Sequence, residues 1–194
     1  LETLEPQELL SGFGEILKVH AIDGLESFDQ LAEDYVRLQD NRNLLLKYIR
    51  KALLIKQKFI EMDEFDRGIR NIFNYGHSFG HAIESATNYR VPHGIAVTMG
   101  MDVANRIAVF RGLITENHYH RMHPVLRANY RNHFDAEITQ DILLSALMKD
   151  KKNTSTQLAL ILPVGEDFEL NKILLEPDDE FCKQFQHAYA GLII

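Results

Sequence analysis

Apolar residues recur at helical spacing over most of this chain. From Leu9 to Ile22 they return every three or four positions, and Pro6 stands where a first helical turn tolerates a missing N–H. Residues 25–39 repeat the pattern, and "RNLLLKYIRKALLIKQKFIEM" (42–62) extends it into a longer amphipathic helix. The run "DEFDRG" (63–68) reads as a loop. Helices are expected over 70–87, closed by Asn88 and Pro92, and over 93–111, closed by Gly112. Two more follow at 115–130 and 138–149. Only "QLALILPV" (157–164) reads as a strand, with "FELNKI" (168–173) as its hairpin partner, and a last helix begins near residue 177. No internal repeat, low-complexity tract or linker interrupts this order. The pattern predicts a mostly α fold: one helical domain over 1–194 with a short β-hairpin near its C-terminus.

Composition narrows the class. The chain is 45% hydrophobic and 25% charged over 194 residues, ordinary values for a globular protein. A net charge of −7 argues against nonspecific binding to nucleic acid or to an anionic membrane, while leaving room for a local basic pocket. The single cysteine, Cys182, excludes an internal disulfide framework and fits a reducing cytosol, so a cytoplasmic location is expected. No apolar run is long enough to span a membrane, and the first residues lack the shape of a signal peptide. The chain does not begin with Met and enters a helix almost at once, so a piece of a longer protein is expected.

The candidate chemistry concentrates in "RNIFNYGHSFGHAIESATNYRVPHG" (70–94). On a continuous helix, Arg70, Asn74, His77, His81 and Glu84 fall on one stripe, with Phe73, Phe79, Ile83 and Ala86 on other faces. A solvated face is the plain alternative, but such faces carry Lys and Glu more than His and Asn. Gly76 and Gly80 each cost about 1 kcal/mol against Ala inside a helix, which points to close approach of another backbone or a ligand. Two histidines four apart can share a metal, and His93, at the start of the next helix, adds a third imidazole that the helix dipole keeps neutral. Far upstream, "SGFGEILK" places Glu15 among small and apolar residues, with Lys18 one turn on. A carboxylate so placed needs a partner, either Lys18 or a metal. One carboxylate with two or three imidazoles matches a zinc-type site with an open position.

Four blocks, "SGFGEILK" (11–18), "DRGIRNIFNYGHSFGHAIE" (66–84), "PHGIAVTMGM" (92–101) and "MKDKKN" (148–153), resemble in order and spacing the signature blocks of 3-dehydroquinate synthase, in the sugar-phosphate cyclase superfamily. The resemblance runs as far as "LALILPVG" and leaves the last thirty or so residues without a counterpart. It implies the helical C-terminal domain of a two-domain enzyme whose N-terminal NAD-binding domain is absent here, with Leu1 near the domain junction. It assigns Glu15, His77 and His93 as ligands of a divalent metal, zinc or cobalt, which moves His81 from ligand to substrate contact. It places Lys18 beside the ligand Glu15, Lys56 and Arg70 toward a substrate carboxylate, Asn74, His81 and Lys152 around a phosphate, and Asp66 at an acidic position usually held by Glu. The implied reaction converts 3-deoxy-D-arabino-heptulosonate 7-phosphate to 3-dehydroquinate with loss of phosphate, in the shikimate pathway to aromatic amino acids. The partner implied is a small sugar phosphate, with a homodimer left open.

One block departs from the family: the usual His-Gly-Glu reads "HGI" here, with Ile95 in place of Glu. The metal ligands are unaffected, but a polar residue near them is replaced by an apolar one. Two other readings therefore stand beside the first. One is a sibling cyclase of the 2-deoxy-scyllo-inosose synthase type, or a more distant metal-dependent polyol dehydrogenase; the other is a helical interaction domain without catalysis. Arg70 and Lys56 favour a carboxylated substrate, and metal content separates the interaction domain from the enzymes.

Overall fold

A computed structural model describes residues 3–65, 68–133, 139–149 and 157–193. Eight helices and one hairpin follow in chain order among them: α1 (Pro6–Asp23), α2 (Leu25–Asp34), α3 (Arg42–Met62), α4 (His77–Ala86), α5 (His93–Phe110), α6 (Glu116–Tyr130), α7 (Gln140–Met148), β1 (Leu158–Val164), β2 (Glu169–Leu175) and α8 (Asp179–Ile193). Short 3-10 turns occupy Tyr35–Leu38 and Ile69–Asn74. The mostly helical fold with a short hairpin is thus the one the periodicity predicts. The two strands pair antiparallel from Leu158 opposite Leu175 to Val164 opposite Glu169. β1 is almost wholly buried, and β2 is exposed or half-buried up to the buried Leu175.

Two expected helices are interrupted. The one read over 25–39 ends at Asp34 and tightens into the first 3-10 turn. The one read over 70–87 breaks in the middle: Ile69–Asn74 forms the second 3-10 turn, and α4 starts only at His77. Between them Gly76 adopts φ 76°, in the left-handed region that favours glycine. A Cβ there would lie 2.6 Å from both the Val97 carbonyl oxygen and Met101 Cγ on α5. Close packing against α5, invisible to local periodicity, decides the break.

α5 is the centre of the molecule. Fourteen of its residues are buried, on every face, and it packs against α1, α4, α6, α8 and β1. A helix buried all round has no side left for water, and apart from Thr98, Asp102 and Asn105 its buried residues are apolar or glycine, as a central helix requires. Its N-terminus is locked to α1. The Gly94 N–H donates to Ser11 Oγ at 2.8 Å, and a Cβ on Gly94 would fall 1.8 Å from the Ser11 carbonyl oxygen. That contact sets Glu15, one turn beyond Ser11, beside His93. The obstructing atom belongs to backbone and cannot rotate away, so Gly94→Ala is expected to cost stability at or above the upper end of the about 1–3 kcal/mol typical of overpacking. Urea unfolding of the two proteins measures it; an unchanged midpoint counts against the packing described.

The core also encloses His20. Its Nδ1–H donates to the Ile16 carbonyl at 2.9 Å, its ring meets Tyr48 edge-on at 5.4 Å, and Nε2 has no hydrogen-bond partner among the described residues. Burial holds its pKa below the ordinary histidine value, more than the Ile16 carbonyl raises it. The unfolded chain therefore takes up a proton that the folded chain refuses. Stability from this residue is complete above the unfolded value near 6.5 and falls as pH drops through it toward the depressed folded value. Urea midpoints at pH 7.5 and 5.5 should differ less in His20→Gln than in the unaltered chain, and an equal difference contradicts this account.

Candidate metal centre

Three helix segments bring their polar residues to one point. Glu15 comes from the middle of α1, His77 is the first residue of α4, and His93 is the first residue of α5. One ligand atom from each lies within 4.8 Å of the others. The break at Gly76 contributes directly. It frees the Tyr75 carbonyl to accept from His77 Nδ1–H at 3.2 Å, which fixes the tautomer and leaves the Nε2 lone pair turned toward the cluster. His93 is fixed the same way. Its Nδ1–H donates to both oxygens of Glu84 at 3.2 Å, and its Nε2 faces Glu15 Oε1 at 3.7 Å.

The surrounding charges suit such a centre. The Lys18 ammonium lies 3.0 Å from both Glu15 oxygens and 3.4 Å from His77 Nε2, and Lys56 Nζ is 4.0 Å from Glu15 Oε2. Burial by itself would raise the Glu15 carboxyl. The charge and hydrogen bond of Lys18, with smaller help from His77 and Lys56, outweigh it, so the carboxyl titrates below its ordinary value. Burial first, and the Lys18 charge second, bring His77 down to about 3. At neutral pH the cluster thus holds an ionised carboxylate and a neutral imidazole, the protonation states that metal ligands need. Two imidazole nitrogens with one carboxylate oxygen is a donor set for zinc or cobalt more than for magnesium.

A cavity of about 340 Å³ opens beside the cluster, lined by Lys18, Lys56, Ile60, Arg70, Phe73, Asn74 and His77. Arg70 and Asn74 belong to the 3-10 turn rather than to α4, so the single stripe expected of one helix is not what assembles the site. The turn carries them to the cavity instead. Arg70 Nη1 donates to the Asp63 and Glu64 carbonyls at 3.2 Å each, which holds the guanidinium against the cavity wall. Its Nε and Nη2 edge has no hydrogen bond among the described residues. His81 is exposed on α4, with its ring 5.4 Å from His77 and 5.9 Å from His93. Asp66 and Lys152 lie outside the described residues.

Glu84 is the residue that the sequence reading left without a role. It was legible as a member of the polar stripe, three residues after His81, but its grip on His93 depends on how α4 meets α5. Ile95, the departure from the usual block, is fully buried in the apolar core, and the carboxylate partner of His93 is Glu84.

The fold defines a class, the helical domain of the dehydroquinate synthase-like cyclases, and in this chain a Glu-His-His cluster lies beside a cationic cavity. The chain belongs to the 3-dehydroquinate synthase C-terminal family, whose model matches residues 12–153. It is 36% identical to the 3-dehydroquinate synthase of Alkaliphilus metalliredigens over 97% of this chain and 53% of that protein. The corresponding enzyme of a Thermoanaerobacter species is 32% identical over 85% and 47%. The chain thus spans about half the length of the curated relatives it matches. Among solved structures, the 2-epi-5-epi-valiolone synthase of Streptomyces hygroscopicus subsp. jinggangensis, with NAD+ and Zn2+ bound, gives a TM-score of 0.76 at 25% identity, over 98% of this chain and 52% of that one. A 2-deoxy-scyllo-inosose synthase complexed with carbaglucose-6-phosphate, NAD+ and Co2+ gives 0.74 at 20% identity, over 98% and 53%, a likeness of fold.

Proposed function

We propose that this chain is the metal- and substrate-holding domain of a 3-dehydroquinate synthase, a cytoplasmic enzyme that converts 3-deoxy-D-arabino-heptulosonate 7-phosphate to 3-dehydroquinate and phosphate. The observation that carries the reading is the convergence of Glu15, His77 and His93 at the edge of a cavity whose polar wall is Lys18, Lys56, Arg70 and Asn74. A substrate with a carboxylate at one end and a phosphate at the other matches that wall. NAD is held mainly by a separate N-terminal domain, a reading supported by the matched relatives' length and by the NAD+ bound in the neighbouring structures.

Glu15, His77 and His93 would hold a divalent ion, zinc or cobalt, which supplies Lewis-acid polarisation of a hydroxyl or ketone oxygen while the nicotinamide carries the redox step. The chain's own residues do the positioning. Lys18 keeps Glu15 ionised, and Glu84 keeps His93 oriented with its Nε2 presented to the cluster. Lys56 and Arg70 face the carboxylate, with the Nε and Nη2 edge of Arg70 offering the planar fork that carboxylates accept in pairs. Asn74 and His81, with Lys152, hold the phosphate. The neighbouring valiolone synthase fold supports one alternative, a sibling cyclase acting on a sugar phosphate without the acid group.

Phosphate release by the full-length enzyme separates the two. The proposal expects higher kcat/KM on the acid than on a carboxylate-free heptulose 7-phosphate, and the reverse order replaces it with the sibling reading. The 194-residue chain alone, given metal, NAD and the acid, should release no phosphate above background.

A further inference from the structure

The two ring nitrogens of His93 serve different neighbours. Nε2 faces Glu15, and Nδ1 faces Glu84. Glu84 stands on the Nδ1 side, His81 three residues before it on α4 stacks its ring on that of His93 at 5.9 Å, and one ligand atom from each of His81, Glu84 and His93 lies within 4.8 Å of the others. This second cluster repeats the donor set of the first, two imidazoles and one carboxylate, and shares the His93 ring with it. Their surroundings differ. The first is penetrated by the buried Lys18 ammonium. In the second, Glu84 has no lysine or arginine ion pair among the described residues, and its carboxylate is paired with His93 itself. His81 and His93 open to solvent there, so an ion can enter without unfolding the core.

We propose that His81, Glu84 and His93 Nδ1 form a second, weaker site for a borderline divalent ion such as Zn2+ or Cu2+, filled after the Glu15–His77–His93 site and bridged to it by the His93 ring. Filling it breaks the Nδ1–H bond of His93. The proton leaves to solvent, and the nitrogen and the Glu84 carboxylate exchange their hydrogen bond for bonds to the metal. Need for that proton to leave makes the site weaker than the first. Chemistry selects the ions: imidazole nitrogen favours zinc and copper, whereas magnesium and calcium prefer all-oxygen shells. The inference rests on the first-site reading, and it adds a consequence: surplus zinc would occupy His81, which that reading assigns to substrate phosphate, and so oppose substrate binding.

The test is Zn2+ stoichiometry in the metal-stripped chain, by titration in competition with a chromophoric chelator. The unaltered chain should take two equivalents, the second held at least about tenfold more weakly. His81→Ala should keep the tight equivalent and lose the second; His81 is exposed, and circular dichroism checks that the variant folds. Mg2+ should not compete at either site. One equivalent in the unaltered chain, or two in His81→Ala, overturns the second site and leaves the proposed function standing. A tight equivalent that survives His77→Ala sinks the first-site reading, and the bridged pair with it.

Discussion

Replacement of His77 by Ala in the full-length enzyme should remove both the tightly held metal and turnover. The variant loses one of two nitrogen ligands from a three-residue cluster, leaving Glu15 and His93, two ligands on different helices, where catalytic zinc sites use three. Lewis-acid polarisation is worth several kcal/mol in such sites. A fall in kcat/KM of about 10³-fold or more is therefore expected, at roughly 1.4 kcal/mol per factor of ten. Two measurements check it: metal per protein by elemental analysis, and phosphate release. His77 is held neutral, at about 3, by burial and by Lys18, so its loss leaves no uncompensated charge and the fold should persist. Normal metal content with normal turnover would remove His77 from the site.

Arg70→Ala should weaken the acid substrate selectively. Nη1 is occupied by the Asp63 and Glu64 carbonyls, so the guanidinium is already held at the cavity wall before substrate arrives. That preorientation lets the remaining edge meet a carboxylate without a large ordering cost. A hydrogen bond to a charged group is worth about 1.5–3 kcal/mol, or roughly 10- to 150-fold in kcat/KM for the acid. Turnover of a carboxylate-free sugar phosphate should change far less. Metal content should stay as in the unaltered enzyme, because Arg70 touches none of the three ligands. Arg70→Lys should recover only part of the loss, since an ammonium is a point charge and lacks the planar fork. Equal losses on both substrates would mean that Arg70 shapes the cavity without reading the carboxylate.

Legibility of the site varied from residue to residue for physical reasons. His77, His81 and Glu84 share one helix, and their common face follows from a 3.6-residue period. Arg70 and Asn74 reach the same cavity by another route, through a 3-10 turn, so a projection through an unbroken helix grouped residues that lie near one another on a geometry the chain does not have. Glu15 is far from His77 in the chain, and no local pattern relates them; the order of the sequence blocks did so by resemblance. The role of Glu84 needed the angle at which α4 meets α5. Ile95 stood out in sequence as a lost polar group, yet it is a core residue packed on all sides.

By itself the sequence determined the inventory of elements, since helical periodicity, glycine and proline stops and one apolar strand run are local properties of the chain. It also determined the chemistry on offer: arginine and imidazoles in one segment, and in a distant one a carboxylate after Gly14 with a lysine one turn on. Tertiary structure decided where the helices stop and what each donor faces. Gly76 turns left-handed because α5 leaves no room for a Cβ, and that turn frees the Tyr75 carbonyl to set the His77 tautomer. Gly94 meets the Ser11 backbone closely enough to carry Glu15 to His93. Backbone contacts between distant segments leave no periodic trace in the residues that make them, so these choices appear only once the helices are packed.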